Sequence, residues 1–192
     1  MKSSFKFKAV NFLSADYKRI EKLYKKAFPS EQRLPLWFLS LRALKDRVEF
    51  LAIYDQSEFI GFFYLVNHQE ITFVLYLAVA SEHRGKGYGS KVLYELSELK
   101  KDQKIILDIE SPYEDAANYK QRIKRKKFYL KNNYNFIGLI MEEDKEKYEV
   151  LSLQGKEVEE KEYIDLLKDF YTPILFRIFN PKIYSINKNN NQ

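Results

Sequence analysis

The sequence predicts a mixed α/β fold, in which a twisted central sheet of about six to seven strands is flanked by helices. Three observations predict this fold. Strand-like and helix-like stretches alternate along the chain, and links of two or three residues join neighbouring strands in its first half. Farther along, a strand is followed by a helix and then by another strand, which predicts a parallel pair within the sheet.

The first half of the chain predicts two helices and four strands. Apolar residues recur at helical spacing between Ser14, which can cap a helix, and Pro29, which ends it. A second, short helix is predicted over Leu36–Leu44, directly after Pro35. Alternating or continuously apolar stretches predict strands over Phe5–Val10, Val48–Asp55, Phe59–His68 and Ile71–Ala80.

The second half predicts two further helices and three strands. One helix opens near Gly89 and has an apolar face made of Val92, Leu93, Leu96 and Leu99. A highly basic helix is predicted over Tyr119–Lys131. Strands are predicted on both sides of that helix, over Lys104–Glu110, Phe136–Glu142 and Tyr148–Gln154.

Residues 1–155 are predicted to form one domain. Residues 156–184 are predicted to form a helical extension that packs on this domain or on a partner, and Pro173 should bend or end the helix. Residues 185–192 are rich in asparagine and poor in large apolar residues, which predicts a disordered tail. The oligomeric states that we expect are a monomer or a homodimer.

Composition excludes several classes of function. The chain has no cysteine and only two histidines, so a disulfide framework, a thiolate nucleophile and the familiar zinc sites are excluded, and no metal is expected. No apolar stretch follows the N-terminus as in a signal peptide, and the longest apolar runs are far too short for a membrane span, which predicts a cytoplasmic protein without a membrane partner. The net charge of +6 favours an anionic partner, either a nucleic acid or a phosphate-bearing cofactor.

The most informative segment is the glycine loop, Arg84–Gly89, which lies between a predicted strand and a predicted helix. Its three glycines allow positive φ and a close approach of backbone to ligand. Amides at the start of a helix favour a phosphate group, and Arg84 and Lys86 add positive charge. The order of residues fits neither a Walker A loop nor a dinucleotide-binding loop. A tight turn without a ligand remains the alternative.

This segment resembles the acetyl-CoA motif of the GNAT superfamily of N-acetyltransferases, [QR]-x-x-G-x-[GA], with Arg84, Gly87 and Gly89 in the three defined positions. The resemblance covers about residues 5 to 154. It implies a GNAT-type sheet and direct transfer of an acetyl group from acetyl-CoA, as co-substrate, to a primary amine. It also implies a set of cofactor-binding residues: Leu77, Ala78, Val79, Arg84, Gly85, Lys86, Gly87, Tyr88, Gly89 and Ser90.

Within that set, the resemblance implies a division of labour. The backbone of Leu77–Val79 would hold the pantetheine arm and thioester, and the Val79 amide would face the developing oxyanion. The amides of the glycine loop would bind the pyrophosphate. The acceptor would be a small-molecule amine or a protein amine.

A second segment, from Arg122 to Tyr134, resembles the "FYxxxGF" helix and turn of the same family, although Asn133-Tyr134 replaces Gly-Phe. Tyr129 aligns with the tyrosine that often protonates the CoA thiolate. A phenol with a pKa near 10 is protonated at neutral pH and can act as that general acid. A purely structural role for Tyr129 remains open.

Acidic residues supply candidates for the general base and for substrate binding. Asp108 and Glu110 share one face of their predicted strand by alternation, and Glu110 is the first candidate for the base. Bonding to a basic side chain or to a cationic substrate is an equally good interpretation of both residues. Glu31 lies in a loop that, by the resemblance, walls the acceptor pocket.

The basic helix allows two interpretations. Seven basic residues and no acid lie between Lys120 and Lys131, which could indicate a nucleic-acid-binding helix. We favour a solvated face whose cations attract the cofactor, because the charges are spread around the helix and no aromatic array accompanies them. At the level of the whole protein, the alternative to an enzyme is a catalytically weak acyl-CoA-binding or regulatory module.

Overall fold

The computed structural model describes residues 5–143 and 146–186, and within them the chain forms eight strands and six helices. The strands are β1 (Phe5–Ala9), β2 (Val48–Asp55), β3 (Glu58–His68), β4 (Ile71–Val79), β5 (Lys104–Glu110), β6 (Tyr134–Glu143), β7 (Glu146–Leu153) and β8 (Lys182–Ser185). The helices are α1 (Asp16–Ala27), α2 (Leu36–Arg42), α3 (Tyr88–Leu99), α4 (Tyr119–Lys131), α5 (Glu160–Tyr171) and α6 (Pro173–Phe179). No helix of this described part is long and apolar enough to cross a membrane.

The strands form one mixed sheet in the order β1-β2-β3-β4-β5-β7-β6-β8. The predicted parallel pair is confirmed: β4 and β5 run in the same direction, with Ile71 opposite Lys104 and Phe73 opposite Ile106. β5, β6 and β7 are joined by antiparallel pairing. The sheet therefore has the mixed character that the α3 crossover requires.

Three details of the sequence prediction differ from the structure, although the predicted fold class is confirmed. The sheet has eight strands rather than six or seven, because β8 pairs with β6 at the end of the segment predicted to be helical. Ser185, predicted to begin the disordered tail, belongs to β8, and residues 187–192 lie outside the described residues. Ser14 does not cap α1: the N-cap position is Ala15, and the Ser14 hydroxyl accepts a hydrogen bond from the Asn11 amide at 2.9 Å.

The described residues divide into two compact units, and β4 contributes to both. The first unit comprises residues 5–67 and 74–101. Its core is strongly aromatic, and Phe62, Phe63 and Tyr64 of β3 are fully buried along with Ile20 of α1 and Leu39 of α2. This unit carries the glycine loop.

The second unit comprises residues 68–73 and 102–186. The predicted apolar face of α5 is buried in it, through Tyr163, Leu166, Leu167 and Phe170. α5 begins with a reciprocal capping box between Glu159 and Glu162. Pro173 ends this helix and opens α6. This unit carries α4 and β5, on which the predicted acid and base residues lie.

Candidate active site

The glycine loop follows the end of β4 and a short 3-10 turn over Ser81–His83. Gly85 and Gly87 have φ values of +75° and +82°, which side chains rarely adopt, and Gly87 is the N-cap of α3. A Cβ atom at either position would meet no heavy atom within 4 Å. The backbone here is therefore left-handed and faces open space.

The start of α3 presents amides without helical partners. The first intrahelical bond runs from the Lys91 amide to the Gly87 carbonyl at 3.2 Å, and no side chain caps the helix. The amides of Tyr88, Gly89 and Ser90 precede that bond. The residues four positions before them lie outside the helix, so these amides have no carbonyl acceptor within it. Such amides, together with the partial positive charge of the helix end, can bind a phosphate group.

Arg84 closes the glycine loop onto the strand that precedes it. Its Nε donates a hydrogen bond to the Val79 carbonyl at 3.0 Å, and the rest of the side chain is exposed. Lys86 is exposed too. One predicted phosphate-binding cation therefore also fixes the position of the loop against the end of β4.

Tyr88 braces the other side of the loop. Its hydroxyl donates a hydrogen bond to Asp55 Oδ2 at 3.2 Å, and this bond raises the pKa of the Tyr88 phenol. Its ring packs against the rings of buried His83, at 5.1 Å between centroids, and Phe5, at 6.1 Å. The Tyr88 side chain thus holds the loop in place, and its backbone amide remains available for a ligand.

Gly61 allows β3 to lie close to the predicted pantetheine-binding strand. A Cβ atom on Gly61 would lie 2.0 Å from the Ala78 carbonyl oxygen, which no side chain can tolerate. Beside this contact, the Ala80 amide donates to the Ile60 carbonyl at 2.8 Å. The end of β4 is therefore fixed by a residue that the sequence prediction did not single out.

Glu31 lies in a 3-10 turn over Ser30–Gln32 and is exposed. Backbone amide hydrogen bonding lowers the pKa of its carboxyl group, so this residue is ionised at neutral pH. Two buried tyrosines fix its loop: Tyr24 donates to the Leu34 carbonyl at 3.1 Å, and Tyr76 donates to the Gln32 carbonyl at 3.0 Å. Glu31 is thus an exposed charge on a well-anchored loop.

In the second unit, Glu110 is almost fully buried and both of its carboxylate oxygens are bonded. Oε2 pairs with Arg125 Nη1 at 2.6 Å. Oε1 pairs with Arg122 Nη2 at 3.1 Å and accepts a hydrogen bond from Asn118 Nδ2 at 3.1 Å. We call these four residues the Glu110 network. These contacts match the interpretation in which Glu110 bonds basic side chains. A carboxylate whose two oxygens already accept bonds from cations is poorly suited to take a further proton as a general base.

Arg122 is the centre of this network and was not predicted as a functional residue. Its guanidinium group also pairs with Glu146 at 2.8 Å, donates to the Ser111 carbonyl at 3.1 Å and lies over the Tyr113 ring. Lys126, on the same helix, pairs with Glu149 at 2.7 Å. Three of the seven basic residues of α4, Arg122, Arg125 and Lys126, are therefore paired with acids of β5 and β7.

Asp108 lies two residues before Glu110 on β5, but its surroundings differ. Its Oδ2 accepts a hydrogen bond from the Tyr163 hydroxyl at 3.1 Å, and among the described residues no other side chain donates to it. Burial raises the pKa of Asp108 to about 6, an effect that the Tyr163 hydrogen bond opposes and nearby Glu143 reinforces. A carboxylate with this pKa can accept a proton near neutral pH.

Tyr129 is half-buried on α4, one helical turn beyond Arg125. Burial raises its pKa to about 12; the charge of Arg125 opposes that rise and the charge of Asp108 adds to it. Its ring meets the ring of buried Tyr134 edge-on at 5.9 Å. Within the described residues its hydroxyl makes no hydrogen bond, so a protonated phenol is available as a donor.

The three predicted catalytic and acidic residues of the second unit thus lie on facing elements. Arg125 and Tyr129 are one helical turn apart on α4, whereas Glu110 and Asp108 are two residues apart on β5. Arg125 pairs with Glu110, and the charge of Asp108 acts on Tyr129. Residues that sequence reasoning missed here are Arg122, Asn118 and Tyr163. Tyr163 had a signal, as an apolar position of the tail helix, but nothing indicated its hydroxyl's partner.

Comparisons with known proteins bear on the fold and the family. Residues 17–124, more than half of the chain, match the Acetyltransferase (GNAT) family. Among curated proteins, no sequence matches the chain.

Several solved structures share the fold. A protein described as of the GNAT family, from Bacteroides thetaiotaomicron, has a TM-score of 0.69 and 22% identity over 88% of this chain and 98% of its own. An aminoglycoside 6'-N-acetyltransferase complexed with coenzyme A has a TM-score of 0.58 and 13% identity, over 77% and 95%. A spermidine N-acetyltransferase chimera from Vibrio cholerae and hSSAT has a TM-score of 0.62 and 19% identity, over 80% and 98%.

Proposed function

The chain belongs to the GNAT acetyltransferase family, and from that premise we propose that it transfers an acetyl group from acetyl-CoA directly to a primary amine. The observation that carries the proposal is the glycine loop. It has two positive-φ glycines, amides at the start of α3 without helical partners, and open space where a side chain would otherwise lie. This donor set fits a pyrophosphate group.

The chain's own residues would divide the binding as follows. The amides of Gly85–Gly89, with Ser90, hold the pyrophosphate, and exposed Lys86 supplies positive charge. The Arg84 amide is not among them, because it donates to the Ser81 carbonyl at 3.2 Å. The backbone of Leu77–Val79 holds the pantetheine arm, and the Val79 amide donates to the thioester oxygen as it becomes negative. The bond from Arg84 to the Val79 carbonyl supports this arrangement, because it ties the phosphate-binding part to the pantetheine-binding part.

Tyr129 is the general acid that protonates the leaving CoA sulfur. The acceptor ammonium first loses a proton to a base, and its nitrogen then attacks the thioester carbon. When the C–S bond breaks, Tyr129 gives its proton to the sulfur, and the second proton lost by the nitrogen restores the phenol directly or through water. The sum is amide, free CoA and one proton released. A pKa of about 12 suits Tyr129 to this role, since the phenol stays protonated until a thiolate forms beside it.

The acceptor is proposed as a primary amine, on a small molecule or on a protein. The similar solved structures include enzymes named for aminoglycoside and spermidine acetylation. Acidic groups on β5 and β6, Asp108 and Glu143, are compatible with an acceptor that arrives as an ammonium ion. The competing function is a module that binds acyl-CoA without turnover.

A two-part experiment separates these functions. Calorimetry first measures acetyl-CoA binding to the full chain. A panel of polyamines, aminoglycosides and peptides is then screened for release of free CoA with a thiol reagent, which has no background from a protein without cysteine. Binding with turnover supports the enzyme, binding without turnover supports the module, and absence of binding contradicts both.

The general acid has its own test. Tyr129→Phe should lower turnover by about 10²- to 10⁴-fold, the usual contribution of a positioned acid, with little change in acetyl-CoA affinity. Tyr119→Phe, at the first turn of the same helix, is the matched control and should keep its activity. Unchanged turnover in Tyr129→Phe would remove this residue from the mechanism.

A further inference from the structure

The hydroxyl of Tyr163 makes a part-buried contact with an acid of the candidate site. Tyr163 is fully buried on α5, with its hydroxyl 3.1 Å from Asp108 Oδ2 and 3.7 Å from the Met141 sulfur. A carboxylate is the stronger acceptor, so the hydroxyl donates to Asp108. The ring packs edge-on against Phe73 of β4 at 5.8 Å, which fixes its orientation. Tyr163 lies outside the residues that match the family, so family membership does not assign it a role.

Helix α5 is anchored at both ends. Near its start, Glu162 pairs with Lys104 of β5 at 3.1 Å and completes the capping box. Near its end, Asp169 Oδ2 lies 2.8 Å from the Nδ1 of His68, a mostly buried residue of β3. These contacts fix the position of α5, and with it the position of the Tyr163 hydroxyl beside Asp108.

The groups around Asp108 come from four other elements. Tyr163 contacts it from α5, and Tyr129 of α4, Glu143 of β6 and Tyr148 of β7 lie close enough to it for charge interactions. We call Asp108, Tyr129, Tyr148 and Tyr163 the Asp108 cluster. No cation pairs with Asp108 among the described residues, in contrast to Glu110.

From this arrangement we propose that Asp108 is the general base of the transfer and that Tyr163 of α5 is its positioning residue. The inference rests on the proposed function. One proton moves from the acceptor ammonium to the Asp108 carboxylate, directly or through water, and leaves the nitrogen lone pair free to attack the thioester. The Tyr163 hydrogen bond fixes one carboxylate oxygen and favours the ionised form. The C-terminal segment thereby contributes to catalysis as well as to the core.

The test compares the pH dependence of kcat/KM in the wild type and in Tyr163→Phe. The wild type should gain activity as pH rises through about 6, where Asp108 ionises. Removal of a hydrogen bond to the carboxylate raises the pKa of Asp108, so the acidic limb should move up by about half to one pH unit. Activity should therefore fall severalfold near pH 6 and recover near pH 8. A uniform loss at every pH, with the limb unmoved, would overturn the positioning role.

Two variants sharpen this test. Tyr134→Phe is the matched control, because Tyr134 is also fully buried in this unit but its hydroxyl has no hydrogen-bond partner in the described part of the chain. Its acidic limb should stay in place. In an Asp108→Asn background, Tyr163→Phe should cause no further loss of activity. A further loss of several-fold would show that Tyr163 acts through some other group.

A measurement without acetyl-CoA distinguishes failure of this inference from failure of the proposed function. Carboxyl-carbon NMR titration, with Asp108 assigned from Asp108→Asn, should show a higher pKa in Tyr163→Phe than in the wild type. If no acceptor is acetylated, the proposed function and the base role fail together, whatever the titration gives. If acetyl transfer occurs but neither the titration nor the acidic limb moves, the inference alone is overturned.

Discussion

The glycine loop of the first unit and the Asp108 cluster of the second are built in contrasting ways. The loop is six consecutive residues whose useful groups are backbone amides, set by the φ values of Gly85 and Gly87. The cluster is four side chains from four elements, and its useful property is a carboxyl pKa of about 6 created by burial. On the proposed function, binding of the donor thus depends on local conformation, whereas proton transfer depends on tertiary packing.

A similar contrast separates the two acids of β5. Glu110 forms ion pairs with two arginines and accepts a hydrogen bond from the Asn118 amide, whereas Asp108 accepts one side-chain hydrogen bond, from a tyrosine hydroxyl. A buried carboxylate that is bonded at both oxygens contributes to structure, because protonating it would leave Arg125 without its ion pair and buried Arg122 with Glu146 alone. An acid that carries one weak donor can gain and lose a proton within the folded protein.

The largest expected effect is on the chemistry of the cluster. Asp108→Asn should lower turnover by about 10²- to 10⁴-fold, because the base is lost, and should leave acetyl-CoA affinity unchanged. Steady-state kinetics and calorimetry check these two results. A parallel loss of affinity would contradict the separation of the two regions.

The same variant should change stability in a pH-dependent way. The pKa of Asp108 is raised from 3.8 to about 6 in the folded protein. The folded state therefore binds more protons than the unfolded state between these values, and this group's contribution to stability falls as pH rises through that window. Asp108→Asn removes this cost, so its urea midpoint relative to wild type should be higher at pH 8 than at pH 4.

Glu110→Gln should act mainly on folding. Loss of the charge removes one of the two ion pairs of buried Arg122 and the ion pair of Arg125, which should destabilise the protein by about 3 kcal/mol in urea unfolding. The acidic limb of the pH profile should stay in place if Asp108 is the base. Glu21→Gln, which breaks an exposed pair with Lys25 on α1, is the control and should cost less than about 1 kcal/mol. A shifted acidic limb in Glu110→Gln would return Glu110 to the role of base.

Gly87→Ala should weaken acetyl-CoA binding by about 10- to 100-fold, since a side chain at φ +82° costs about 1–2 kcal/mol and enters the space left for the ligand. Gly155→Ala is the matched control, because Gly155 has a φ of +66° in a turn of the second unit. It should lose similar stability and keep its affinity. Equal affinities in all three proteins would contradict the assignment of the loop.

The smallest effect is expected at the exposed lysines of α4. Lys124→Glu with Lys127→Glu should change acetyl-CoA affinity by less than about fivefold, because exposed charges contribute about 0.5 kcal/mol or less each. Wild-type protein should show no tight binding to duplex DNA or RNA in 150 mM salt, by filter binding. Tight binding that the double variant abolishes would restore the nucleic-acid interpretation of this helix.

The contrast between local and tertiary features also explains which elements of the structure could be predicted from the sequence. Val48–Asp55, Lys104–Glu110 and Tyr119–Lys131 were predicted to the residue, because their apolar patterns and flanking turns are local. β8 was missed, since four residues are too few for a pattern of alternation and its pairing with β6 is long-range. The glycine loop was recognisable because it is one continuous stretch of the sequence whose conformation depends on its own glycines.

The candidate site of the second unit was only half predictable. Alternation placed Asp108 and Glu110 on one face, but it could not tell which acid would meet the arginines of α4 and which the tyrosine of α5. Which acid meets which partner depends on how α4 and α5 are aligned along β5, and a shift of two strand residues would exchange the two acids. Arg122 and Tyr163 looked like a surface cation and a core aromatic, and only packing gave them partners.

The most direct test of the account is a paired measurement on wild type, Gly87→Ala and Asp108→Asn, with calorimetry for acetyl-CoA affinity and thiol release for turnover with an accepted amine. The account predicts that Gly87→Ala loses affinity, and that Asp108→Asn keeps affinity and loses turnover. Wild-type protein that fails to bind acetyl-CoA, or an Asp108→Asn variant that turns over at the wild-type rate, would contradict it.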